Sequence, residues 1–464
     1  MTLRTDLEVT IPGLGKVQGV LDDEHAVVKF LNVPFGVVSE RWRPASKAEP
    51  WKGVRDATRC GSSPPQATTT DPQFSALFES SDALYEEAMS ERDSLCLNIY
   101  MPASALVSDE TLPVCVWIYG GGFKFGSITD PLYELVIDAQ TYADSVPKHL
   151  RRWYDGSVGN WGLLDQILGL EWVRDHIQAF KGDPKRVTVM GESAGSISIS
   201  YLMLIPECRG LFRRAIMQSG AASTHPAMRP ENEGQRYFDY LCQAFNVPHD
   251  LSGPEKVARL RAVPEKSLAK VLDNPDFLFF SSTLDGVLFK EDTRLATQDP
   301  SLYDPNLDWV FMGTCADEAQ FKATNTHSIA KLKTRLCAPG DGPVFDQLFG
   351  NPKNDEDASE IGAHVLGNRL FRYPVFQASE AILAHPSCRL TRYHVDVRVA
   401  KMDRMFPSRG SYHTIDLLYT FGNKTASALL SEEEMLFSKV MQGIWIDVIT
   451  SQSPEDSTLP KVTN

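Results

Sequence analysis

One short stretch of the chain combines a potential nucleophile with glycines that could expose it. Ser193 stands at the centre of Gly191-Glu192-Ser193-Ala194-Gly195, which fits the pattern G-x-S-x-G. The apolar run "RVTVM" precedes this pattern and a helix-like sequence follows it, which indicates a turn between a strand and a helix. Such a turn strains the serine backbone and lifts the hydroxyl clear of the sheet, at the positive end of a helix. We therefore predict that Ser193 is a nucleophile, the alternative being a purely structural turn.

A second glycine-rich segment could stabilise the negative charge that a nucleophilic serine generates. Tyr119-Gly120-Gly121-Gly122-Phe123 directly follows an apolar, strand-like run. Backbone N–H groups after such a strand are free to point at an oxyanion, and removing one such donor typically costs about 3 kcal/mol of transition-state stabilisation. We expect this segment to supply oxyanion donors, whereas the simpler interpretation is a flexible loop.

A serine hydroxyl also needs a base, and the ten histidines offer several candidates. His394 lies inside a strand-like run, and His176 lies in an amphipathic helix beside Asp175. His413 follows the loop-like stretch "FPSRGSY", and loops at the ends of strands often carry catalytic residues. These patterns favour His413 but leave the other histidines open.

The elements around these residues alternate between strand-like and helix-like sequence. The N-terminal part predicts an antiparallel meander, and "LCLNIYMP" and "LPVCVWIYGGGF" predict buried strands. A stripe of apolar residues at helical spacing follows, made of Leu163, Ile167, Leu170, Val173 and Ile177. This order predicts an α/β fold with a largely parallel central sheet, helices on both faces and N-terminal antiparallel strands.

Beyond the serine turn, residues from about 225 to 300 are more charged and predict a helical excursion from the sheet. Strand-like sequence returns at "LDWVFMG" and "CRLTRYHVDV", and "EEEMLFSKVMQGIWIDVI" predicts a closing helix. The chain contains no internal repeat, low-complexity segment or long linker. We therefore predict a single domain over residues 1–464.

Composition limits the possible partners and locations. Lys and Arg total 46 against 60 Asp and Glu, a net charge of −14 that repels phosphate backbones and anionic membranes, so we expect no nucleic-acid partner. No apolar run reaches membrane-spanning length, and the first residues do not resemble a signal peptide. Eight cysteines are scattered without metal-binding spacing. We expect a protein of the cytoplasm that binds no metal; its oligomeric state is left open.

Several motifs together resemble a known family. "YGGGF", "GNWGLLDQ" and "GESAG", in this order, are similar to the type-B carboxylesterase family of the α/β-hydrolase fold, which includes acetylcholinesterase and certain fungal lipases. The segments "FLNVPFG", "WKGVRDAT", "LDGVLF" and "HTIDLLYTFG" resemble other parts of the same family. The resemblance therefore extends over nearly the whole chain.

The resemblance implies a role for individual residues. Ser193 matches the family's nucleophile, Glu318 in "GTCADEAQF" its acid and His413 its base, in the chain order that α/β-hydrolases use. The donors of the oxyanion hole match Gly121, Gly122 and Ala194. The chain departs from the usual D-E-G at Ala319, and Asp317 is the rival acid, which we expect instead to orient neighbouring backbone.

These matches imply a serine hydrolase that cleaves small-molecule carboxylic esters through an acyl-enzyme on Ser193, without a cofactor or a metal. Glu192, next to the nucleophile, could attract a cationic substrate group or be a buried, paired carboxylate. Two alternatives to an active hydrolase are a catalytically impaired variant and a non-catalytic, cholinesterase-like binding protein.

Two features depart from the family pattern. Pro64 and Ser94 stand where extracellular members usually have a pair of disulfide-forming cysteines, which favours a reducing compartment; a shifted Cys60–Cys96 bridge is the alternative. Residues 128–158 lack the strongly β-forming run that the family carries beside the strand ending at Tyr119. We therefore expect that strand to be missing, so that another segment fills its place or the fold is compromised.

Overall fold

The computed structural model describes residues 4–66, 89–133, 141–145, 159–224, 228–229, 231–272, 281–320, 347, 354–405 and 410–459. The strands are β1 Arg4–Ile11, β2 Gly15–Asp22, β3 Val27–Pro34, β4 Gly36–Val37, β5 Ser46–Lys47, β6 Val54–Asp56, β7 Cys96–Pro102, β8 Leu112–Ile118, β9 Thr141–Ser145, β10 Gly182–Glu192, β11 Arg214–Gln218, β12 Met228–Arg229, β13 Ser282–Thr283, β14 Trp309–Cys315 and β15 Arg389–Val395. The helices are α1 Trp161–His176, α2 Ala194–Leu202, α3 Glu231–Ala244, α4 Gly253–Arg261, α5 Glu265–Leu272, α6 Thr293–Ala296, α7 Asp355–Gly367, α8 Tyr373–Leu383, α9 Ala400–Met405, α10 Ile415–Phe421, α11 Lys424–Ser427 and α12 Glu432–Thr450.

The central sheet has 11 strands in the described residues, in the order β1-β2-β3-β7-β9-β8-β10-β11-β14-β15 with β6 beside β2. Strands β1, β2, β3, β7 and β9 pair antiparallel in this order, whereas β6 pairs parallel with β2. From β9 to β15 every pairing is parallel. The predicted α/β fold class, with its antiparallel N-terminal part, is therefore confirmed.

Alternate side chains of β8 divide between two hydrophobic cores, one on each face of the sheet. Val114, Val116 and Ile118 belong to one core, and Cys115 and Trp117 belong to the other. This division follows from the period of two along a strand. Helices α1 and α2 pack on the first face and α10 and α12 on the second, as the prediction of helices on both faces requires.

Helix α1 confirms the apolar stripe that the sequence predicts. Leu163, Ile167, Leu170 and Val173 are buried in the helix, and Ile177 is buried directly after it. The predicted helical excursion is also present, in α3 to α5. These helices share a small hydrophobic core, which includes Phe238, Leu241, Val257 and Leu260. Two tryptophans outside these helices, Trp42 and Trp161, belong to the same core.

The prediction of a missing strand in residues 128–158 is wrong. Strand β9, with the sequence "TYADS", lies between β7 and β8 and pairs parallel with β8 from Val114↔Thr141 to Ile118↔Ser145. The sequence pattern overlooks β9 because the ladder is formed by backbone groups, which any non-proline residue supplies. The rest of this stretch, residues 134–140 and 146–158, lies outside the described residues.

The structure shows whether Asn423 is accessible to glycosylation and whether Cys96 forms a disulfide. Asn423, in the sequon Asn423-Lys424-Thr425, is buried, donates to the Leu132 carbonyl oxygen and caps α11, so it is inaccessible to glycosylation in the folded chain. Cys96 is a buried thiol whose Sγ donates to the Asp93 carbonyl oxygen, and burial raises its pKa to about 12. The shifted bridge between Cys60 and Cys96 is therefore not formed.

Within the described part of the chain, every helix is too short or too polar to cross a membrane.

Candidate active site

Ser193 has the strained backbone that its motif predicts. Its φ of 54° and ψ of −121° lie outside the regions that residues with a side chain favour, a strain of roughly 1–3 kcal/mol. Backbone hydrogen bonds hold this conformation, because the Ser193 N–H donates to the Gln218 carbonyl oxygen at 2.8 Å and the Ser193 carbonyl oxygen accepts from Ile197 N–H at 2.9 Å. The turn connects β10 to α2, and its strain is maintained by hydrogen bonds to β11 and within α2.

The two glycines of the motif allow close packing around this turn. A Cβ on Gly195 would lie 1.9 Å from the Ile118 carbonyl oxygen, and one on Gly191 would lie 2.7 Å from the same atom. Helix α2 can therefore approach the end of β8 only without side chains at these positions. Ser193 itself is partly exposed, whereas its neighbours from 191 to 200 are buried.

The glycine loop after β8 borders the serine turn. A Cβ on Gly120 would lie 3.1 Å from the Ser193 Cβ, so the loop and the serine are in direct contact. Gly121 has a φ of +98°, and its carbonyl oxygen accepts from the N–H groups of Lys124 and Phe125. The loop thus turns sharply beside the serine. Ala194, the first residue of α2, directly follows the serine and is buried.

The structure brings Glu318 and His413 together from positions 95 residues apart. His413 Nδ1 lies 2.7 Å from Glu318 Oε2, and both side chains are buried. The other carboxylate oxygen of Glu318 accepts from the Cys315 N–H at 2.9 Å, which fixes the carboxylate in the turn after β14. Because a carboxylate accepts only, this contact places a proton on Nδ1 and leaves Nε2 for chemistry.

Asp317 has the supporting role that the sequence predicts for it. Its Oδ2 accepts from the Ser411 N–H at 2.9 Å, and its own N–H donates to the Ser411 carbonyl oxygen at 2.8 Å. These two bonds join the turn that carries Glu318 to the loop that carries His413. Asp317 therefore aligns the two segments.

A second carboxylate lies beside the other ring nitrogen of His413. Glu192 Oε1 is 3.1 Å from His413 Nε2, and the Glu192 side chain is buried. Of the two interpretations of Glu192, the structure therefore supports the buried, paired carboxylate. This contact also places His413 next to the residue that immediately precedes Ser193. The contact between Glu192 and His413 could not be predicted from the sequence, because residues 192 and 413 are brought together only by the fold.

The charges around His413 decide its protonation. Burial alone would lower its pKa, but the carboxylates of Glu192 and Glu318 outweigh burial and raise the pKa of His413 to about 9. The imidazole is therefore held largely as the cation near neutral pH.

Asp416 is a buried carboxyl group near this site that the sequence did not single out. Its Oδ2 accepts from Gln218 Nε2 at 2.7 Å, and burial raises the pKa of Asp416 to about 6. Gln218 is also the residue whose carbonyl oxygen holds the Ser193 N–H. The Gln218 side chain therefore links the serine turn to α10, which begins two residues after His413.

The two other histidines considered as candidates for the base lie on β15 and at the end of α1. His394 is exposed on β15, where its Nδ1 lies 3.5 Å from Thr314 Oγ1. His176 ends α1, where its ring packs against that of Trp172. Across the described ranges, no group of three or more His, Cys, Asp or Glu side chains is placed to hold a metal ion.

Comparison with known proteins identifies relatives along nearly the whole chain. The family model described as "Carboxylesterase family" matches residues 5–141 and 154–463. The chain is 39% identical to carboxylesterase 1F of Mus musculus over 495 residues, which cover 96% of this chain and 86% of that protein. It is 34% identical to the medium-chain fatty acyl-CoA hydrolase precursor of Anas platyrhynchos over 473 residues, 94% of this chain and 82% of that protein. It is 28% identical to the para-nitrobenzyl esterase of Bacillus subtilis over 465 residues, 95% of this chain and 89% of that protein.

The interval that the family model leaves unmatched, 142–153, contains all but the first residue of β9. Within the interval in which the sequence departs from the family, residues 142–145 therefore lie in an inner strand of the sheet. With the remainder matched from residue 5 to residue 463, the chain belongs to the carboxylesterase family.

Proposed function

We propose that this protein is a cofactor-free serine hydrolase that cleaves carboxylic esters through an acyl-enzyme on Ser193. The observation that carries the proposal is the 2.7 Å contact between His413 Nδ1 and Glu318 Oε2 beside the strained serine turn. A nucleophile, a base and an acid that orients the base are the three parts that acyl transfer by serine requires.

In the first half of the proposed reaction, the Ser193 hydroxyl attacks the ester carbonyl carbon and its proton passes to His413 Nε2. Glu318 holds the ring in the required tautomer and stabilises the imidazolium that forms. The backbone N–H groups of Gly121, Gly122 and Ala194 receive the developing oxyanion, helped by the amino end of α2. When the tetrahedral intermediate collapses, His413 returns the proton to the leaving alcohol.

In the second half, water takes the place of the alcohol. His413 removes a proton from the water as it attacks the acyl-enzyme, and the same backbone donors receive the second oxyanion. The acid leaves when His413 returns the proton to Ser193 Oγ. No atom other than those of the chain, the ester and water takes part in this sequence.

Glu192 adds a charge to this mechanism that a Ser-His-Glu arrangement alone lacks. Its carboxylate, 3.1 Å from Nε2, stabilises the imidazolium formed in each half-reaction. The same carboxylate stabilises the imidazolium of the resting enzyme, in which His413 cannot accept a proton. Glu192 is therefore expected to set the pH range of activity.

The substrate class is a small-molecule carboxylic ester. The names of the relatives indicate a nitrobenzyl ester for one and a fatty acyl thioester for another. For this chain we propose only the shared chemistry, attack on an activated acyl carbonyl. The p-nitrophenyl ester of acetic acid is a suitable probe, because it requires little recognition of the acyl or alcohol group.

The test compares two serines of the same turn and helix. Ser193→Ala should abolish release of p-nitrophenol while the protein stays folded, since loss of a serine nucleophile removes about 10⁶-fold in kcat in a well-studied serine protease. Ser200→Ala is the matched control, because Ser200 is buried on α2 and its hydroxyl has no hydrogen-bond partner among the described residues. Full turnover by Ser193→Ala would refute the proposed mechanism.

We further propose that the protein works in a reducing compartment, the cytoplasm. Pro64 and Ser94 take the places of a cysteine pair typical of the family's extracellular members, and Cys96 is a buried thiol. Fractionation of the cells that produce the protein, with the chain detected by antibody, tests this location. Recovery in the secreted fraction would contradict it.

A further inference from the structure

One helical segment contacts both the acid and the base of the site. Helix α7, a π-helical turn at Asn368–Arg372 and helix α8 follow one another without interruption. At the end of α7, a Cβ on Gly367 would lie 3.4 Å from the Glu318 Cβ, so this segment packs on the turn that carries the acid. Phe371 lies four residues further on, within the π-helical turn.

The Phe371 ring packs on the face of the His413 imidazole. The two ring centroids are 4.3 Å apart and the ring planes are inclined by 31°. Both side chains are buried, each 6% exposed. An aromatic face at this distance attracts a cation and excludes water from it.

The π-helical turn determines where Phe371 points. A π turn holds one residue more than an α turn, and residues in an α-helix are separated by about 100° around the axis. An uninterrupted α-helix entering from α7 would therefore direct residue 371 away from the position it has. π turns recur at functional sites, which is consistent with an element that serves the site.

We infer that Phe371 is a positioning residue for the proposed hydrolysis: its ring holds the His413 imidazole in the plane that joins Glu318 to the serine turn and stabilises the imidazolium. The inference rests on the proposed function. Among the described residues, the titratable groups whose charge acts on His413 include Glu192 from the end of β10, Glu318 from the turn after β14 and Asp416 from α10. All of these are carboxyl groups, so the aromatic face is a contact of a different kind.

The test uses Phe371→Leu, which keeps the site apolar but removes the aromatic face, and Phe371→Tyr, which keeps the ring. Two control variants are Leu370→Ala, which removes a buried side chain from the same turn, and Phe376→Leu, which removes an exposed aromatic ring from α8. Two readouts are used: the pKa of His413 from NMR titration of its ring, and the pH profile of kcat with the p-nitrophenyl ester. Circular dichroism confirms that each variant is folded.

We expect Phe371→Leu to lower the pKa of His413 by about half a pH unit to one pH unit and to reduce kcat about ten-fold, with a smaller change in KM. Phe371→Tyr should retain the wild-type pKa, and both control variants should leave it unchanged. An unchanged His413 pKa in Phe371→Leu, or an equal change in Leu370→Ala, would overturn the inference. The NMR titration does not require turnover, so it separates this outcome from failure of the proposed function, which Ser193→Ala reports.

Discussion

At the scale of single residues, the site is governed by one imidazole between two carboxylates. Glu318, which contacts Nδ1, is the partner that the family motif predicts. Glu192 contacts Nε2, the ring nitrogen that must also accept the proton of the Ser193 hydroxyl. Burial opposes the charge on His413, and the two carboxylates restore it, with a resulting pKa of about 9. The same contacts that prepare the base for catalysis therefore keep it protonated at neutral pH.

Replacing Glu192 tests this balance. In the wild type, kcat/KM should rise with pH until His413 loses its proton near pH 9, because only the neutral imidazole accepts the serine proton. Glu192→Gln removes a charge that raises the pKa, so the rising limb should move to lower pH by about one pH unit or more. Glu171→Gln, a change of the same kind at a partly exposed position on α1, is the control. A pH profile of kcat/KM with the p-nitrophenyl ester makes the measurement, and an unmoved limb would contradict this role.

The sequence could predict the reacting residues but not their surroundings. Ser193 is identified by its own neighbours in the chain, and Glu318 and His413 by motifs that resemble a family. Phe371 has no such motif around it, and Asp416 stands within "HTIDLLYTFG" but is given no role by that motif. The contacts of both residues depend on segments distant in the chain. The pairing of Glu192 with His413 and the packing of Phe371 on His413 are seen only in the folded structure.

At the scale of elements, β9 is the part of the sheet that the sequence least predicts. Buried parallel strands are recognised by apolar runs, and β8, β10 and β14 have such runs and were found where expected. The segment Thr141–Ser145 has none, yet it lies between β7 and β8 and joins the antiparallel part of the sheet to the parallel part. Its place is determined by backbone pairing on both sides.

A proline at the centre of β9 tests that pairing. Ala143 is opposite Val116 on β8 and Ile99 on β7, so its backbone lies between two strands. Ala143→Pro removes the N–H of this residue and should lower the free energy of unfolding by at least about 2 kcal/mol. Ala143→Ser keeps the N–H and serves as the control. Urea unfolding followed by circular dichroism makes the comparison, and equal stability of the two variants would show that residues 141–145 are not an inner strand.

At the scale of the whole molecule, the predicted fold class and family are confirmed along nearly the entire chain. The single domain over residues 1–464 stays a prediction. The net charge of −14 is compatible with neutral or cationic esters and opposes binding to anionic polymers. Composition could predict which classes of partner the charge favours or opposes. It could not predict which ester is bound, because it does not specify the residues that line a substrate pocket.

The central claim is that the fold activates one serine among the many in the chain. The most direct measurement is to treat the native protein with a fluorophosphonate, digest it and locate the phosphonylated peptide by mass spectrometry. We expect rapid modification of Ser193 that is lost in the denatured protein and in His413→Ala, because the hydroxyl reacts only when its base is in place. Rapid ester hydrolysis by a protein that remains unmodified at Ser193, or that is modified at another serine, would contradict it.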